Sequence, residues 1–130
     1  MESDTRAPQT IAILGASTDR DKFGNKCLRA YRHAGWTVYP VNPKERVIEG
    51  LPAFASLADV PRPLDRISVY LRPPVTAALL PAIAEAGAEA TFFNPGAADE
   101  EVLAEARRIG VRSRDACAIV DIGLSPSMFP

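Results

Sequence analysis

The 130-residue chain has one histidine, His33, and two cysteines, Cys27 and Cys117. With no Cys-x-x-Cys pair and no His/Cys cluster, the zinc-site signatures are absent. No Ser–His–Asp or Cys–His set can be assembled at the strand ends, because His33 falls near the end of a helical stretch. Two widely separated cysteines make no disulfide framework, and they read as reduced thiols of a cytoplasmic protein. Long apolar runs are also missing. Nothing approaches the roughly 20 residues of a membrane span, and the opening MESDTRAPQT lacks the apolar core of a signal sequence. Charge of one sign is missing too. Fifteen Lys and Arg against sixteen Asp and Glu leave a net charge of -1. The chain therefore has no global pull toward nucleic acid or anionic lipid. Any anion it holds must be caught by local geometry.

What is present is an alternation of two periods. Residues 10–14 (TIAIL), 36–41 (WTVYPV), 66–71 (RISVYL) and 89–93 (EATFF) read as strands, with a fifth inside 111–122, centred on 118–120. Continuous apolar runs of this kind suit a parallel sheet covered on both faces. A helix is predicted over 25–34, with Cys27, Leu28, Tyr31 and Ala34 inward and Lys26, Arg29 and Arg32 toward water. A second is introduced by Arg72-Pro73-Pro74 and stopped by Gly87, with Val75, Leu79, Leu80 and Ile83 as its face. Pro81 is expected to kink or split it. A third spans 99–109 on a stripe of Val102, Leu103, Ala106 and Ile109. Between strands two and three the chain is less regular, with a turn at Gly50-Leu51-Pro52 and a short helix at 56–59. The alternation defines an α/β class, and right-handed crossovers make a doubly wound, Rossmann-like, mainly parallel five-stranded sheet in a single domain. The expected strand order is 3-2-1-4-5. The domain covers 10–123, after a flexible 1–9 and before a tail at 124–130.

In such a sheet, ligands bind beyond the carboxyl ends of the strands. The first end offers Gly15, Ala16, Ser17 and Thr18, then Lys22 and the free N–H groups of a helix start, a combination suited to phosphate. The dinucleotide fingerprint is incomplete, because Ser17 and Arg20 stand where its later glycines belong and the next glycine is Gly24. A side chain at Gly15 is expected to fill the phosphate approach while sparing the fold. The second end, Asn42-Pro43-Lys44, has no carboxylate for ribose hydroxyls. Lys44, with Arg46 nearby, suits a phosphorylated ribose instead, which means NADP or coenzyme A. Arg72 and Pro73 at the third end, and Asn94, Pro95 and Gly96 at the fourth, border the same edge. Asp19 and Asp21 read as turn formers, and no side-chain set for a metal is evident.

Taken in order, IAILGAST with DKFGNK, VYPVNPK, GLPAFASLADVP, the strand with RPP, AGAEATFFNPGA and DAC give the chain a family likeness. It resembles the small stand-alone CoA-binding domain proteins, which are similar to the N-terminal CoA-binding domain of the succinyl-CoA synthetase alpha subunit. The resemblance runs over about residues 11–122. It implies a Rossmann-like fold that binds coenzyme A rather than a nicotinamide cofactor. By resemblance, residues 15–18 with Lys22 meet the CoA phosphates, and Asn42, Pro43 and Lys44 meet the adenosine end. Arg72-Pro73-Pro74 and Asn94-Pro95-Gly96 line the rest of the groove. The chain departs from the family at Phe93-Asn94-Pro95, where many members carry a bulky residue plus Gln, and at Pro81. Related ligases use a phosphorylated histidine from another domain. The expectation is therefore non-catalytic binding of CoA or an acyl-CoA as a small-molecule partner, without nucleic acid or membrane. The alternatives are an NADP-binding oxidoreductase-type module, and an acyl-CoA- or redox-sensing regulator with Cys117 as its thiol.

Overall fold

In the first strand, β1 (Thr10–Leu14), alternate side chains feed two cores at once. Ala12 and Leu14 join a cluster with Ile67, Leu80, Phe93 and Val102, while Ile11 and Ile13 join one with Leu28, Tyr31 and Phe92. A strand buried on both faces cannot alternate polar and apolar residues, which is why TIAIL reads as a continuous apolar run. The computed structural model describes residues 9–130. Of the expected flexible stretch 1–9, only Gln9 is therefore described, and its carbonyl accepts from the Thr37 N–H at 2.8 Å.

Helix α1 (Phe23–His33) covers the Ile11/Ile13 face, and β2 (Thr37–Val41) then pairs parallel with β1. A hairpin of β3 (Val47–Ile48) and β4 (Leu51–Pro52) follows, and Glu49 and Gly50 turn it with positive φ angles of 51° and 78°. A 3-10 turn at Leu57–Asp59 leads to β5 (Arg66–Val69). Helix α2 (Pro73–Ala86), β6 (Ala90–Phe93), helix α3 (Glu100–Arg108) and β7 (Ser113–Arg114) complete the main sheet. The helices α2 and α3 pack on the Ala12/Leu14 face, opposite α1. The result is a doubly wound, all-parallel five-stranded sheet.

The order differs from the expected 3-2-1-4-5. It is β2-β1-β5-β6-β7, or 2-1-3-4-5 when the main strands are counted along the chain. The reason is Pro40, which sits in the middle of β2 and has no N–H to donate. A proline belongs on an edge strand, whereas the expected order would have placed β2 between two neighbours. On its outer side β2 meets only a single bridge, between Val41 and Phe54, and the Pro40 carbonyl accepts from the Phe54 N–H at 2.9 Å. The strand β5, buried from Ile67 to Val69, takes the central place beside β1 instead.

The fifth strand also differs. It lies at Ser113–Arg114, and residues 118–121 form the short helix α4 (Ala118–Asp121). Ala118 and Ile119 are buried while Val120 is 58% exposed, the one-sided pattern of a helical turn rather than a central strand. The Tyr31 hydroxyl donates to the Ala118 carbonyl at 2.7 Å and ties α4 to α1. Residues 124–130 carry a 3-10 turn at Pro126–Met128. Lys26 Nζ and Arg29 Nη2 both donate to the Phe129 carbonyl at 3.0 Å, so these two cations hold the last residues rather than facing only water. No helix among the described residues is long and apolar enough to cross a membrane.

Pro81 neither ends nor splits α2, which runs unbroken through it. The face turned to the core is Thr76, Leu80, Ile83 and Ala86, slightly rotated from the expected one, and Val75 is exposed. Pro81 is exposed and removes one helical donor without contributing to the core. Pro81→Ala is therefore expected to stabilise the fold by ~1–2 kcal/mol, a fraction of the full interior-proline penalty because proline also restricts the unfolded chain. Thermal denaturation checks this. An unchanged or lower melting temperature would show that the helix accommodates the ring at no cost.

Candidate functional site

In this topology the chain leaves β1 toward β2 on one side and leaves β5 toward β6 on the other. The point of reversal lies between the carboxyl ends of β1 and β5, where open α/β sheets bind their ligands. A cleft of about 580 Å³ opens there. From the loop after β1 come Gly15, Ala16, Ser17 and Lys22, and from the tip of β2 come Asn42 and Pro43. Arg72 borders it after β5, and Pro95 and Gly96 after β6. Four of the expected residues stand outside this lining. Thr18 and Lys44 are exposed nearby. Pro73 faces a separate groove between α2 and α3, and Asn94 is buried beneath the edge.

The three longer helices, α1, α2 and α3, begin at this edge, and their chemistry separates them. Helix α3 is capped by its own Asp99, whose carboxylate accepts from the Val102 N–H at 2.9 Å, and Glu100 and Glu101 fill its first turn. An anion there would meet three carboxylates. Helix α2 starts with Pro73 and Pro74, which have no N–H to offer. Helix α1 has no side-chain cap and no acid in its first turn, and its cap residue is Lys22. Phe23 and Gly24 supply backbone N–H groups with no acceptor among the described residues. Of these three helix starts, α1 alone combines the positive end of the dipole, open donors and a lysine.

Asparagine side chains fix the loops that shape the cleft. Asn25, fully buried, donates to the Ser17 carbonyl at 2.8 Å and to Glu49 Oε2 at 3.0 Å. Asn42 donates to the Ala16 carbonyl at 2.9 Å, and its Oδ1 accepts from the Lys44 and Glu45 N–H groups at 2.7 and 3.0 Å. The β2 tip thus curls into an Asx-type turn that leaves the Lys44 ammonium in solvent. Asn94 donates to Ser68 Oγ and the Val69 carbonyl, both at 2.9 Å, and accepts from the Ala118 N–H at 2.8 Å. Its amide is occupied by protein. Asp19 and Asp21 act as the sequence suggests, within a turn whose bonds run Asp19 N–H to Ser17 Oγ and Asp21 N–H to Asp19 Oδ1, both 3.0 Å.

Gly15 acts differently from the expectation. Its φ is +87°, and a Cβ there would overlap the Tyr70 carbonyl oxygen rather than project into the cleft. A Cβ on Gly24 would overlap the Gly15 carbonyl oxygen in turn. The two glycines let α1 start directly against the β1–β5 edge. Valine at Gly15 would therefore damage the fold before it tested binding.

Sequence reasoning passed over Phe23, Tyr70, Leu71 and Ala97, all of which line the cleft. Phe23, 57% exposed on the first turn of α1, stands in the otherwise polar stretch DRDKFGN, which is the one sign of it in the sequence. Phe23, Tyr70 and Pro95 also wall a second cavity of about 230 Å³, with Asn94, Cys117 and Pro126. Beneath it, Cys27 donates to Ser68 Oγ at 3.6 Å. Burial pushes the Cys27 thiol up from 9.0 to about 11. Burial likewise pushes the Tyr70 phenol well above its usual value, with Cys27 beside it adding to the shift. The Tyr70 hydroxyl is buried and has no hydrogen-bond partner among the described residues. Those residues contain no cluster of three or more His, Cys, Asp or Glu able to hold a metal.

The sheet order, the cleft at the reversal point and the open start of α1 define the class, a Rossmann-like nucleotide-binding domain. More narrowly, a family model described as CoA binding domain matches residues 9–123, and the chain belongs to that family. Residues of this chain are 40% identical over 58 positions to acetate–CoA ligase [ADP-forming] I of Archaeoglobus fulgidus, covering 45% of this chain and 8% of the ligase. A conserved hypothetical protein from Pyrococcus furiosus superposes with a TM-score of 0.81 at 34% identity, covering 87% of this chain and 98% of that one. The dinucleotide-forming acetyl-coenzyme A synthetase 1 of Ca. Korarchaeum cryptofilum gives 0.70 at 28% identity, over 82% of this chain and 25% of that one.

Gly24→Ala is expected to cost ~3 kcal/mol, because the clash is with rigid backbone. Denaturant unfolding reads the loss, and a change under 1 kcal/mol would show that the loop can yield. The thiols give a second check. Cys117 is half-buried and Cys27 fully buried. At pH 8, iodoacetamide should label Cys117 in the folded chain and Cys27 only after unfolding. The raised Cys27 pKa adds a pH dependence. Its contribution is fully present below the unfolded value of 9.0 and is lost as pH rises through about 11. Equal labelling of both thiols in the folded protein would contradict the packing.

Proposed function

We propose that the chain binds coenzyme A or an acyl-CoA in this cleft, without itself catalysing a reaction. The observation that carries the reading is the pairing of an open, lysine-capped helix start at α1 with a β2 tip that ends in Asn42-Pro43-Lys44 instead of an acid. The diphosphate takes the α1 start, beside Gly15–Ser17 and Lys22, with Arg72 across the cleft. Adenosine lies toward the β2 tip. Lys44 and Arg46, both exposed, flank the place where a ribose 3′-phosphate would emerge. The family match and the likeness to the N-terminal part of acetate–CoA ligases support CoA over a nicotinamide.

The chain covers a small part of those ligases, and no carboxylate pair, histidine or metal-binding cluster borders the cleft among the described residues. Binding alone is therefore the function the cleft supports. Several charge-assisted contacts to three phosphates are sufficient for micromolar affinity, about 8 kcal/mol.

A thermal-shift titration with CoA, acetyl-CoA, dephospho-CoA, NAD and NADP tests this. A ligand at 100 times its Kd stabilises the folded state by ~2.7 kcal/mol, a rise of several degrees. CoA should give that rise and NAD should not. Lys22→Ala should weaken CoA and dephospho-CoA alike, by roughly tenfold for one charge-assisted contact. Lys44→Ala should weaken CoA and leave dephospho-CoA almost unchanged. A shift with NADP and none with any CoA species would replace this reading with an oxidoreductase-type module.

A further inference from the structure

The second cavity, of about 230 Å³, adjoins the cleft at Pro95, because Phe23, Tyr70 and Pro95 wall both. The remaining walls are Asn94, Cys117 and Pro126. None of these six residues is Lys, Arg, His, Asp or Glu. Asn94, the most polar of them, has its amide engaged with Ser68, Val69 and Ala118. What faces the cavity is therefore ring, proline and thiol.

Coenzyme A is a linear molecule, with phosphoadenosine at one end, the diphosphate between, and pantetheine ending in a thiol at the other. The strand order dictates where that last part runs. The tips of β2, β1, β5 and β6 follow one another along the edge, at about 4.8 Å per strand. With adenosine at β2 and the diphosphate at α1, pantetheine leaves in the opposite direction. It crosses Tyr70 toward Pro95 and reaches the second cavity. The geometry points to this recess as the seat of a short, uncharged acyl group carried on the CoA thiol. The inference rests on the reading of the cleft as a CoA site.

Two features set the selectivity. A carboxylate-tipped acyl group would be buried without a cation in the walls, which is costly. A long chain exceeds a recess of about 230 Å³ that Pro126 helps to wall. That wall is braced, because the turn it belongs to is tied to α1 through Lys26 and Arg29, which donate to the Phe129 carbonyl at 3.0 Å. Arg29 Nη1 also donates to the Pro130 carbonyl at 3.1 Å. A small apolar acyl group fits both limits.

Isothermal titration of the full chain with CoA, acetyl-, butyryl-, succinyl- and palmitoyl-CoA tests the proposal. Butyryl-CoA should bind roughly tenfold tighter than CoA, from the methylenes it buries. Succinyl-CoA should bind no tighter than CoA, and palmitoyl-CoA more weakly than butyryl-CoA. Cys117→Phe fills the recess and should reduce the butyryl preference to within twofold of CoA. A second readout needs no variant. Iodoacetamide labelling of Cys117 should slow several-fold more with saturating butyryl-CoA than with saturating acetyl-CoA. If CoA binds but the acyl series is flat, or if both thioesters protect Cys117 equally, the recess is not the acyl seat while the CoA reading stands. If no CoA species binds at all, both fall together.

Discussion

The close approach of two backbones, Gly15 to Tyr70 and Gly24 to Gly15, is the constraint on which the site depends. Without side chains at these positions, α1 begins directly over the ends of β1 and β5. Its uncapped first turn then points into the crevice rather than into solvent. Two features of the cleft follow from that placement. Lys22 reaches the opening because it is the cap residue, and Phe23 walls it because it is the next. The glycines serve phosphate recognition indirectly, by letting a helix come close, which is a packing role rather than a ligand contact.

The polar side chains that secure this edge are mostly spent on protein. Asn25 joins the first loop to the β3–β4 hairpin, Asn42 joins it to β2, and Asn94 joins β6 to β5 and α4. The buried amides of Asn25 and Asn94 would be expensive if left unpaired, and each of the three fixes a loop geometry. The groups left open, the α1 N–H donors with Lys22 and Arg72, are those that make an anion welcome. The edge is thus divided between groups that hold its shape and groups that remain available to a ligand.

Much of this was legible in the sequence, and the exceptions have physical reasons. The strands with continuous apolar runs and the helices with clear periods stand where expected, and the family likeness agrees with the match over residues 9–123. The strand order was misread although its signal, Pro40 inside the second strand, was present. β7 was hidden because Ser113–Arg114 is two residues long and polar, while Ala118 to Val120 has a strand's composition and a helical turn's burial. Of the thirteen candidate site residues, nine line the cleft, while Thr18 and Lys44 stand exposed beside it and Pro73 faces the groove between α2 and α3. Asn94 does not line it, because its partners lie below the edge, and nothing in FNPG distinguishes a buried amide from a ligand contact. The order also changes which loops are neighbours. The Gly15 loop faces the Tyr70–Arg72 loop directly, with Pro95 and Gly96 one strand further on.

The proline in β2 reaches beyond topology. A parallel sheet ends in two rows of unsatisfied backbone groups, and a long flat row is a template on which a neighbouring chain can add a strand. Here, among the described residues, one margin of the sheet is interrupted by Pro40 and bridged by Phe54, and the other is only two residues long. The molecule can therefore keep an open crevice along its carboxyl ends while its two sheet margins offer poor templates for an added strand.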